Sequence, residues 1–252
     1  DPRALPDGTA STYMISEDTV VTHRIVTAVP DEDDPTVIRY RTKGDANTVV
    51  CDNGTRLQAP HILIATGSHP GKPDVPGADL GGVSDDFFAL HEQPGHVALV
   101  GGGYIAVELA GVLQALGSRV DIFARSDRLL SLADAELVER LQENYRDQGI
   151  GLRFGYALAA VERRDGALCL RDAAGGSDGG YAQVIFATGR RANTAGIGLE
   201  AAGVELDAGG NVVVDAWQRS SVAHIAAVGD VTGRATLTPV AIAAARRAMD
   251  RV

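Results

Sequence analysis

The chain has 252 residues, 45% of them hydrophobic and 22% charged, a composition that excludes a disordered segment and is typical of one or two globular domains. Asp and Glu number 33 against 23 Lys and Arg, giving a net charge of -10, so the surface has no general attraction for the phosphate backbone of a nucleic acid. The two cysteines, Cys51 and Cys169, exclude a disulfide framework and a CxxC pair, and no apolar run reaches the roughly 20 residues of a membrane span; we therefore predict a protein of the reducing cytoplasm.

The first third of the chain is rich in short β-type segments. Residues 19–29 and 36–42 flank an acidic turn at 31–35, which predicts a hairpin or meander. An apolar strand follows at 61–67. Residues 68–83 contain several prolines and glycines, so they predict a crossing segment rather than a helix or a central strand.

A strand–helix–strand unit comes next. Residues 97–100 predict a buried strand, 104–116 a helix and 119–124 a second strand, and another amphipathic helix is predicted at 133–144. Short strands continue the pattern as far as Gly189. The whole of this region predicts an α/β dinucleotide-binding domain interrupted by a β-meander.

The turn between the first strand and the helix is rich in glycine. Gly101, Gly103 and Ala106 fit the pattern GxGxxA, in which the glycines allow a tight turn and the close approach of a pyrophosphate, while the alanine allows close helix–sheet packing. The helix N-terminus adds partial positive charge. We predict dinucleotide binding here; the alternative is an ordinary glycine-rich strand–helix turn.

The end of the second strand bears on the choice of coenzyme. An NAD site usually has an Asp or Glu there to accept the ribose hydroxyls, but this sequence has Ala124, followed by Arg125 and Arg128. A guanidinium offers several fixed donors to a 2′-phosphate, so the sequence favours NADP over NAD. The alternative is that both arginines are solvated loop charges, one of them neutralised by Asp127.

Four motifs carry a resemblance to a known family. They are Ala65-Thr66-Gly67, residues 101–108, residues 189–194 and Val228-Gly229-Asp230. In this order they resemble the flavin-dependent pyridine nucleotide-disulfide oxidoreductases. Three further segments, 84–90, 198–204 and 237–244, are most similar to the glutathione reductase branch of that family.

The resemblance implies an α/β fold with two Rossmann-like nucleotide-binding domains, an NADP domain being inserted into a truncated FAD domain. We expect the first part of the FAD domain at 1–95, without its opening βαβ unit, the NADP domain at 96–192, and the second part of the FAD domain at 193–252. The chain begins without a methionine and ends inside a helical pattern, so we expect it to be a segment of a longer protein.

The resemblance also implies roles for individual residues. Asp230 would hold the FAD ribityl chain, and Tyr104 would cover the flavin until nicotinamide displaces it. Glu108 would pair with a lysine near the flavin. The residues implied for FAD are Thr66, Gly67, Arg190, Asp230 and Thr238, and those implied for NADPH are Gly101, Gly102, Gly103, Ile105, Glu108, Arg125, Arg128 and Gly189.

Some positions depart from the family pattern or have plainer interpretations. Ser131 occupies the position of the family's second phosphate-binding arginine, so either Arg128 takes its place or that contact is missing. The plainer alternatives are that Tyr104 is a core aromatic residue of its helix and that Glu108 is a solvated charge. Arg190 could form only a surface ion pair, which contributes little to stability.

Parts of the family's chemistry are missing from the sequence. No second GxGxxG motif, no CxxxxC pair and no C-terminal interface domain with a His-Glu pair occur in the 252 residues. We therefore assign no catalytic residue to this chain, and its six scattered histidines indicate no metal site. The parent protein would be a homodimer that passes hydride from NADPH to FAD, then to a cysteine pair and a small-molecule disulfide, glutathione disulfide by analogy; this chain alone would not complete that reaction.

Two hypotheses follow for the function. The first is the cofactor-binding core of an NADPH-dependent, FAD-containing disulfide reductase. The second is a non-catalytic nucleotide-binding fragment. A relative of dihydrolipoamide dehydrogenase or mercuric reductase is a neighbouring form of the first hypothesis, although the missing acid at position 124 argues against its NAD-using members.

Overall fold

The computed structural model describes residues 11–16, 19–24, 40–42, 48–51, 56–58 and 61–250. The chain divides into two compact units, one formed by Asp1–His69 with Arg191–Val252 and the other by Pro70–Arg190. The second unit is therefore an insertion in the first. No helix in the described part of the chain has both the length and the apolar character that a membrane crossing requires.

Seven short strands precede or lead into the inserted unit. They are β1 (Ser11–Ser16), β2 (Thr19–Arg24), β3 (Tyr40–Thr42), β4 (Thr48–Cys51), β5 (Arg56–Gln58), β6 (Ile62–Ile64) and β7 (Ser68–Pro70). β1 and β2 form an antiparallel pair, and β3, β4 and β5 form an antiparallel sheet.

The strands of this region pair differently from the sequence prediction. A hairpin or meander that includes 19–29 and 36–42 was expected; in the structure β2 pairs with β1, and β3 pairs with β4. Both observed partners are nearer along the chain, so the loop that must close is shorter and its entropic cost is lower. The predicted turn at 31–35 lies outside the described residues.

The inserted unit contains three helices and eight strands within the described residues. In chain order they are β8 (Gly82–Val83), α1 (Ser84–Phe88), β9 (His96–Val100), α2 (Tyr104–Ala115), β10 (Arg119–Phe123), α3 (Ala135–Asp147), β11 (Gly151–Arg153), β12 (Leu158–Arg164), β13 (Ala167–Asp172), β14 (Ser177–Tyr181) and β15 (Gln183–Phe186).

Five of these strands form a parallel sheet in the order β11-β10-β9-β15-β8. Alternate residues of the central strand β9 point to opposite faces. Val97 and Leu99 pack with buried residues of α2 and α3, whereas Ala98 and Val100 pack with the meander β12-β13-β14. A parallel sheet needs both faces covered, and here helices cover one face and antiparallel strands the other.

The inserted unit begins earlier in the chain than the NADP domain expected from the sequence. The sequence placed that boundary between residues 95 and 96, whereas the compact unit starts at Pro70. The physical reason is the edge strand β8, whose Gly82 and Val83 are in register with Ile185 and Phe186 of β15. Two residues of strand give little sequence signal, so this edge was not predicted.

The first unit resumes with β16 (Arg190–Ala192), β17 (Ile225–Ala227) and α4 (Thr238–Met249). β17 is parallel to β6, with Ile225 opposite Ile62 and Ala227 opposite Ile64. An apolar cluster beneath this pair includes Leu199, Val212 and Val231. The two strand ends therefore meet at one edge, which places Asp230 close to the turn that follows β6.

Candidate functional site

Gly101 is required by the protein's own structure. Its φ is +138°, a value that residues with a side chain rarely adopt. A Cβ at this position would lie 2.3 Å from the carbonyl oxygen of Ala187. The amide of Gly101 donates to the carbonyl of Phe123 at 2.8 Å, so the turn is fixed against the neighbouring strands β15 and β10.

Gly103 differs from Gly101 in having room for a side chain. Its φ is -86°, which any residue can adopt, and a Cβ there would meet no atom of the described residues within 4 Å apart from those of its two chain neighbours. Among the described residues nothing requires glycine at this position. The open space beside Gly103 fits the close approach of a ligand to the backbone.

The start of α2 has open hydrogen-bond donors. In the described part of the chain no side chain caps this end of the helix, and its first turn has no acidic residue. The first amides of a helix have no partner within the helix and carry partial positive charge. Ala106 is fully buried against the sheet, so α2 lies close to the strands with its N-terminus at the glycine turn. This arrangement fits the pyrophosphate of a dinucleotide.

The segment 124–131, named here the arginine loop, lies against the glycine turn. The amide of Leu130 donates to the carbonyl of Gly102 at 2.7 Å. Arg125 is exposed and Arg128 is half-buried. The Nη2 of Arg128 donates to the carbonyl of Ser131 at 2.6 Å. The structure thus brings the two predicted phosphate-binding arginines to the edge of the glycine turn.

The positive charges of Arg125 and Arg128 are not paired with an acidic side chain of the arginine loop. Ala124, at the position where an acid would accept ribose hydroxyls, is fully buried. Of the ion pairs within the described residues, none joins Asp127 to Arg125 or Arg128. The interpretation of one arginine as neutralised by Asp127 therefore has no support in the structure, and the guanidinium charges remain available to an anion.

Four other residues predicted to contact NADPH or the flavin lie on α2 or shortly after β15. Tyr104 is 47% exposed, so it is not a core aromatic residue, and Glu108, four residues further along α2, is also exposed. Ile105 is half-buried against the core of the inserted unit. Gly189 follows β15 with a φ of +139°, and its Cβ position is open.

The first unit has a second polar cluster, at the joined ends of β6 and β17. Asp230 is half-buried, and its Oδ2 accepts a hydrogen bond from the Ser68 hydroxyl at 2.7 Å. Thr66 and Gly67 form the turn that leads to Ser68. A half-buried carboxylate beside a turn can accept hydrogen bonds from a polyol, which fits the ribityl chain of a flavin.

Asn193 holds this turn through both its main chain and its side chain. Its amide donates to the Gly67 carbonyl at 2.9 Å, and its carbonyl accepts from the Thr66 hydroxyl at 2.8 Å. Its side-chain amide donates to the Thr66 carbonyl at 2.8 Å, and its Oδ1 is 2.6 Å from Nδ1 of His69. Asn193 lies in the motif at 189–194, but nothing in its sequence context predicted this role.

The remaining predicted flavin residues occupy exposed positions. Thr238 is the first residue of α4 and is exposed. Arg190 is exposed and is the last residue of the inserted unit. Within the described residues no group of three or more His, Cys, Asp or Glu side chains could hold a metal ion.

Comparison with known proteins places these features in a family. A family model described as pyridine nucleotide-disulphide oxidoreductase matches residues 19–245. The glutathione reductase of Burkholderia cepacia is 46% identical over 189 residues, covering 75% of this chain and 42% of that protein. The glutathione reductase of Schizosaccharomyces pombe is 40% identical over 204 residues, covering 79% of this chain and 44% of that protein.

Solved structures agree on the fold. The HOCl-induced flavoprotein disulfide reductase RclA from Escherichia coli superposes with a TM-score of 0.79 at 25% identity, over 84% of this chain and 49% of that chain. LpdA from Mycobacterium tuberculosis gives a TM-score of 0.75 at 27% identity, over 85% and 48%. This chain therefore spans less than half the length of each of these four proteins.

These matches confirm the predicted α/β fold of Rossmann type and the predicted resemblance. The expected cofactors, FAD and NADPH, are those of glutathione reductases and of the matching family. The matched region includes the glycine turn, the arginine loop and the Asp230 cluster. The chain belongs to the pyridine nucleotide-disulfide oxidoreductase family.

Proposed function

We propose that this chain is the coenzyme-binding core of an NADPH-dependent flavoprotein that reduces a small-molecule disulfide, glutathione disulfide in the first instance. The observation that carries the proposal is the hydrogen bond between Leu130 and Gly102, because it brings Arg125 and Arg128 to the edge of a dinucleotide-binding turn at which Ala124 occupies the position of the ribose-binding acid. The names of the two relatives at 46% and 40% identity support the choice of substrate.

The inserted unit would bind NADPH. The open side of Gly103 and the first amides of α2 would bind the pyrophosphate. Arg125 and Arg128 would donate to the 2′-phosphate, and the carbonyl of Ser131 already orients the Arg128 guanidinium. Because NADH has a hydroxyl where NADPH has a phosphate, only NADPH would use these charges.

The first unit would bind the flavin. The carboxylate of Asp230 would accept hydrogen bonds from the ribityl hydroxyls, while Ser68 holds one of its oxygens. The turn at Thr66 and Gly67 and the start of α4 at Thr238 complete the flavin contacts expected from the first unit. When bound, FAD accepts a hydride from reduced nicotinamide and passes the electrons to a disulfide.

These 252 residues do not include all the groups that the reduction of a disulfide needs. The cysteines at 51 and 169 are the two in the sequence, and Cys169 is buried in β13. A protein disulfide that relays electrons needs two cysteine sulfurs within bonding distance. A CxxxxC pair would supply them, but the sequence has none. We expect the chain by itself to bind nucleotide but not to reduce glutathione disulfide, and the complete protein to be a cytoplasmic homodimer.

Coenzyme binding tests the proposal. Calorimetry with NADPH and NADH should show a preference for NADPH. Arg125→Ala should weaken NADPH binding about 10- to 100-fold, since a hydrogen bond to a charged group contributes about 1.5–3 kcal/mol. Arg140→Ala is the matched control, because Arg140 is exposed on α3 and pairs with Glu143 at 2.9 Å. Equal affinity for NADH and NADPH, with no change in Arg125→Ala, would refute the coenzyme assignment.

A non-catalytic nucleotide-binding module is the second candidate. The observation in its favour is the absence of a CxxxxC pair from the sequence. The two candidates differ in the need for flavin. Retention of FAD during purification of this chain supports the redox protein, whereas NADPH binding without any affinity for FAD supports the binding module.

A further inference from the structure

We propose that Gln142 is a positioning residue that determines coenzyme choice by fixing the arginine loop. This inference rests on the proposed NADPH site. Gln142 lies on α3, outside the glycine turn and outside the arginine loop, and is only 5% exposed. Its Oε1 accepts a hydrogen bond from the amide of Leu129 at 2.9 Å in a buried environment.

The arginine loop adopts a backbone conformation that it would not adopt freely. Leu130 has a φ of +44°, in the left-handed region that residues with a side chain avoid. Such a conformation persists only where surrounding contacts determine it. The contacts that hold this loop are therefore part of its function as a platform for Arg125 and Arg128.

Leu130, at the strained position, and Leu129, directly before it, are each held by one hydrogen bond of the backbone amide. The amide of Leu129 donates to Gln142, and the amide of Leu130 donates to the Gly102 carbonyl. Leu129 itself is fully buried in the core of the inserted unit. Gln142 thus anchors the loop to the rigid helix α3, while Gly102 anchors it to the glycine turn.

The side chain of Arg128 depends on the same segment. Its carbonyl accepts from the Ser126 hydroxyl at 2.6 Å, and its guanidinium donates to Ser131 at 2.6 Å. Both partners lie in the loop and neither lies on a helix. The position of this guanidinium relative to the glycine turn is therefore set by the two anchors at Leu129 and Leu130.

A glutamine is an unusual choice for the buried face of α3. Buried polar groups cost free energy unless they are hydrogen-bonded, and the neighbouring buried positions on this helix are Val138 and Tyr145. An apolar residue at 142 would pack as well but would leave the buried amide of Leu129 without an acceptor. The loop would then relieve that amide by moving toward water, and the strain at Leu130 favours the same movement.

Such a movement would affect the two coenzymes differently. NADPH needs the guanidinium groups at fixed distances from the pyrophosphate site, because charge-assisted hydrogen bonds depend on geometry. NADH makes no use of them, and its pyrophosphate site on Gly103 and α2 does not include Gln142. Loss of the anchor should therefore lower selectivity without abolishing dinucleotide binding.

The test compares three variants of the whole chain. Gln142→Met keeps the length of the side chain but removes the acceptor, and Gln142→Glu keeps an acceptor at the same position. Gln148→Met makes the same change at an exposed residue directly after α3. The dissociation constants for NADPH and NADH are measured by calorimetry for each variant, and circular dichroism verifies the fold.

We expect Gln142→Met to raise the NADPH dissociation constant about tenfold, corresponding to a buried donor left unsatisfied, and to change that for NADH less than twofold. Gln142→Glu and Gln148→Met should bind both coenzymes within about twofold of the original chain. Equal weakening of both coenzymes in Gln142→Met, or unchanged NADPH binding, would overturn the inference. If the original chain does not prefer NADPH, the proposed function itself fails, and that outcome is separate.

Hydrogen exchange on the unmodified chain supplies a second measurement that does not depend on the variant folding. The amides of Leu129 and Leu130 should exchange slowly, and NADPH should slow them further while NADH should not. Exchange of both amides at the rate of exposed loop amides would show that the loop is not anchored, which also overturns the inference.

Discussion

Two substitutions in the glycine turn should separate folding from coenzyme binding. In Gly101→Ala the new Cβ would lie 2.3 Å from the Ala187 carbonyl oxygen, at a backbone φ of +138°. The unfavourable backbone conformation costs about 1–3 kcal/mol, and the steric overlap adds about 1–3 kcal/mol. We expect a loss of roughly 2–6 kcal/mol in the free energy of unfolding, a large part of the stability of a typical domain.

Gly103→Ala is the matched partner with the opposite expectation. Its φ is -86°, and apart from its two chain neighbours no described residue has an atom within 4 Å of the new Cβ. Reduced entropy of the unfolded chain contributes up to about 1 kcal/mol in favour, and the loss of glycine at the N-cap costs a similar amount. Stability should therefore change by less than about 1 kcal/mol, while NADPH binding should weaken at least about tenfold because the methyl group fills the space for the pyrophosphate.

Urea unfolding followed by circular dichroism measures the first quantity, and calorimetry with NADPH measures the second. We expect Gly101→Ala to be destabilised, and Gly103→Ala to be as stable as the original chain but to bind NADPH more weakly. If both variants lose the same stability, the open space seen beside Gly103 is not real. If Gly103→Ala binds NADPH as tightly as the original chain, the pyrophosphate does not lie where we place it.

Three further substitutions test contacts outside the glycine turn. His96→Leu should cost about 2–4 kcal/mol in urea unfolding without changing the NADPH affinity, because it removes the 2.7 Å partner of the buried Asp121 carboxylate; a change below about 0.5 kcal/mol would contradict this. Asn193→Ala should lower FAD retention and destabilise the turn at Thr66 by about 1–3 kcal/mol, and unaltered FAD retention would argue against the flavin site. Burial and the nearby Asp172 raise the pKa of Tyr156 to about 12. The contribution of this shifted pKa to the free energy of unfolding is therefore fully present below the unfolded pKa near 10 and is lost as pH rises through about 12. Tyr156→Phe should reduce the loss of stability between these two pH values, which thermal unfolding measures.

The inserted unit was the most accurately predicted part of the fold. The predicted strand at 97–100, helix at 104–116 and strand at 119–124 correspond to β9, α2 and β10, and no boundary differs by more than one residue. Continuous apolar runs mark the strands, and glycines mark the turns, so the local signal is strong. The helix predicted at 133–144 begins at Ala135, since the Asp134 side chain caps it by accepting from two amides of the first turn.

The weaker predictions concern pairing between short strands. β1 and β8 were not predicted, because six or fewer residues of mixed character carry little periodicity. Their existence depends on a partner strand, β2 in one case and β15 in the other. A pattern within one segment cannot identify that partner, which is why nothing in the sequence indicated that strand pairing in the inserted unit extends back to β8.

Some residues of the candidate site can be recognised from local motifs, whereas others can be recognised only from contacts with distant parts of the chain. Gly101, Arg125 and Asp230 are recognisable because each lies in a short motif whose chemistry is readable. Asn193 and Gln142 are not, since their importance lies in hydrogen bonds to Thr66 and Leu129, positions separated from them by 127 and 13 residues. A motif therefore identifies the groups that would touch a coenzyme but not the groups that orient them. It follows that a related chain with both arginines but without an acceptor at position 142 should prefer NADPH less strongly than its motif indicates.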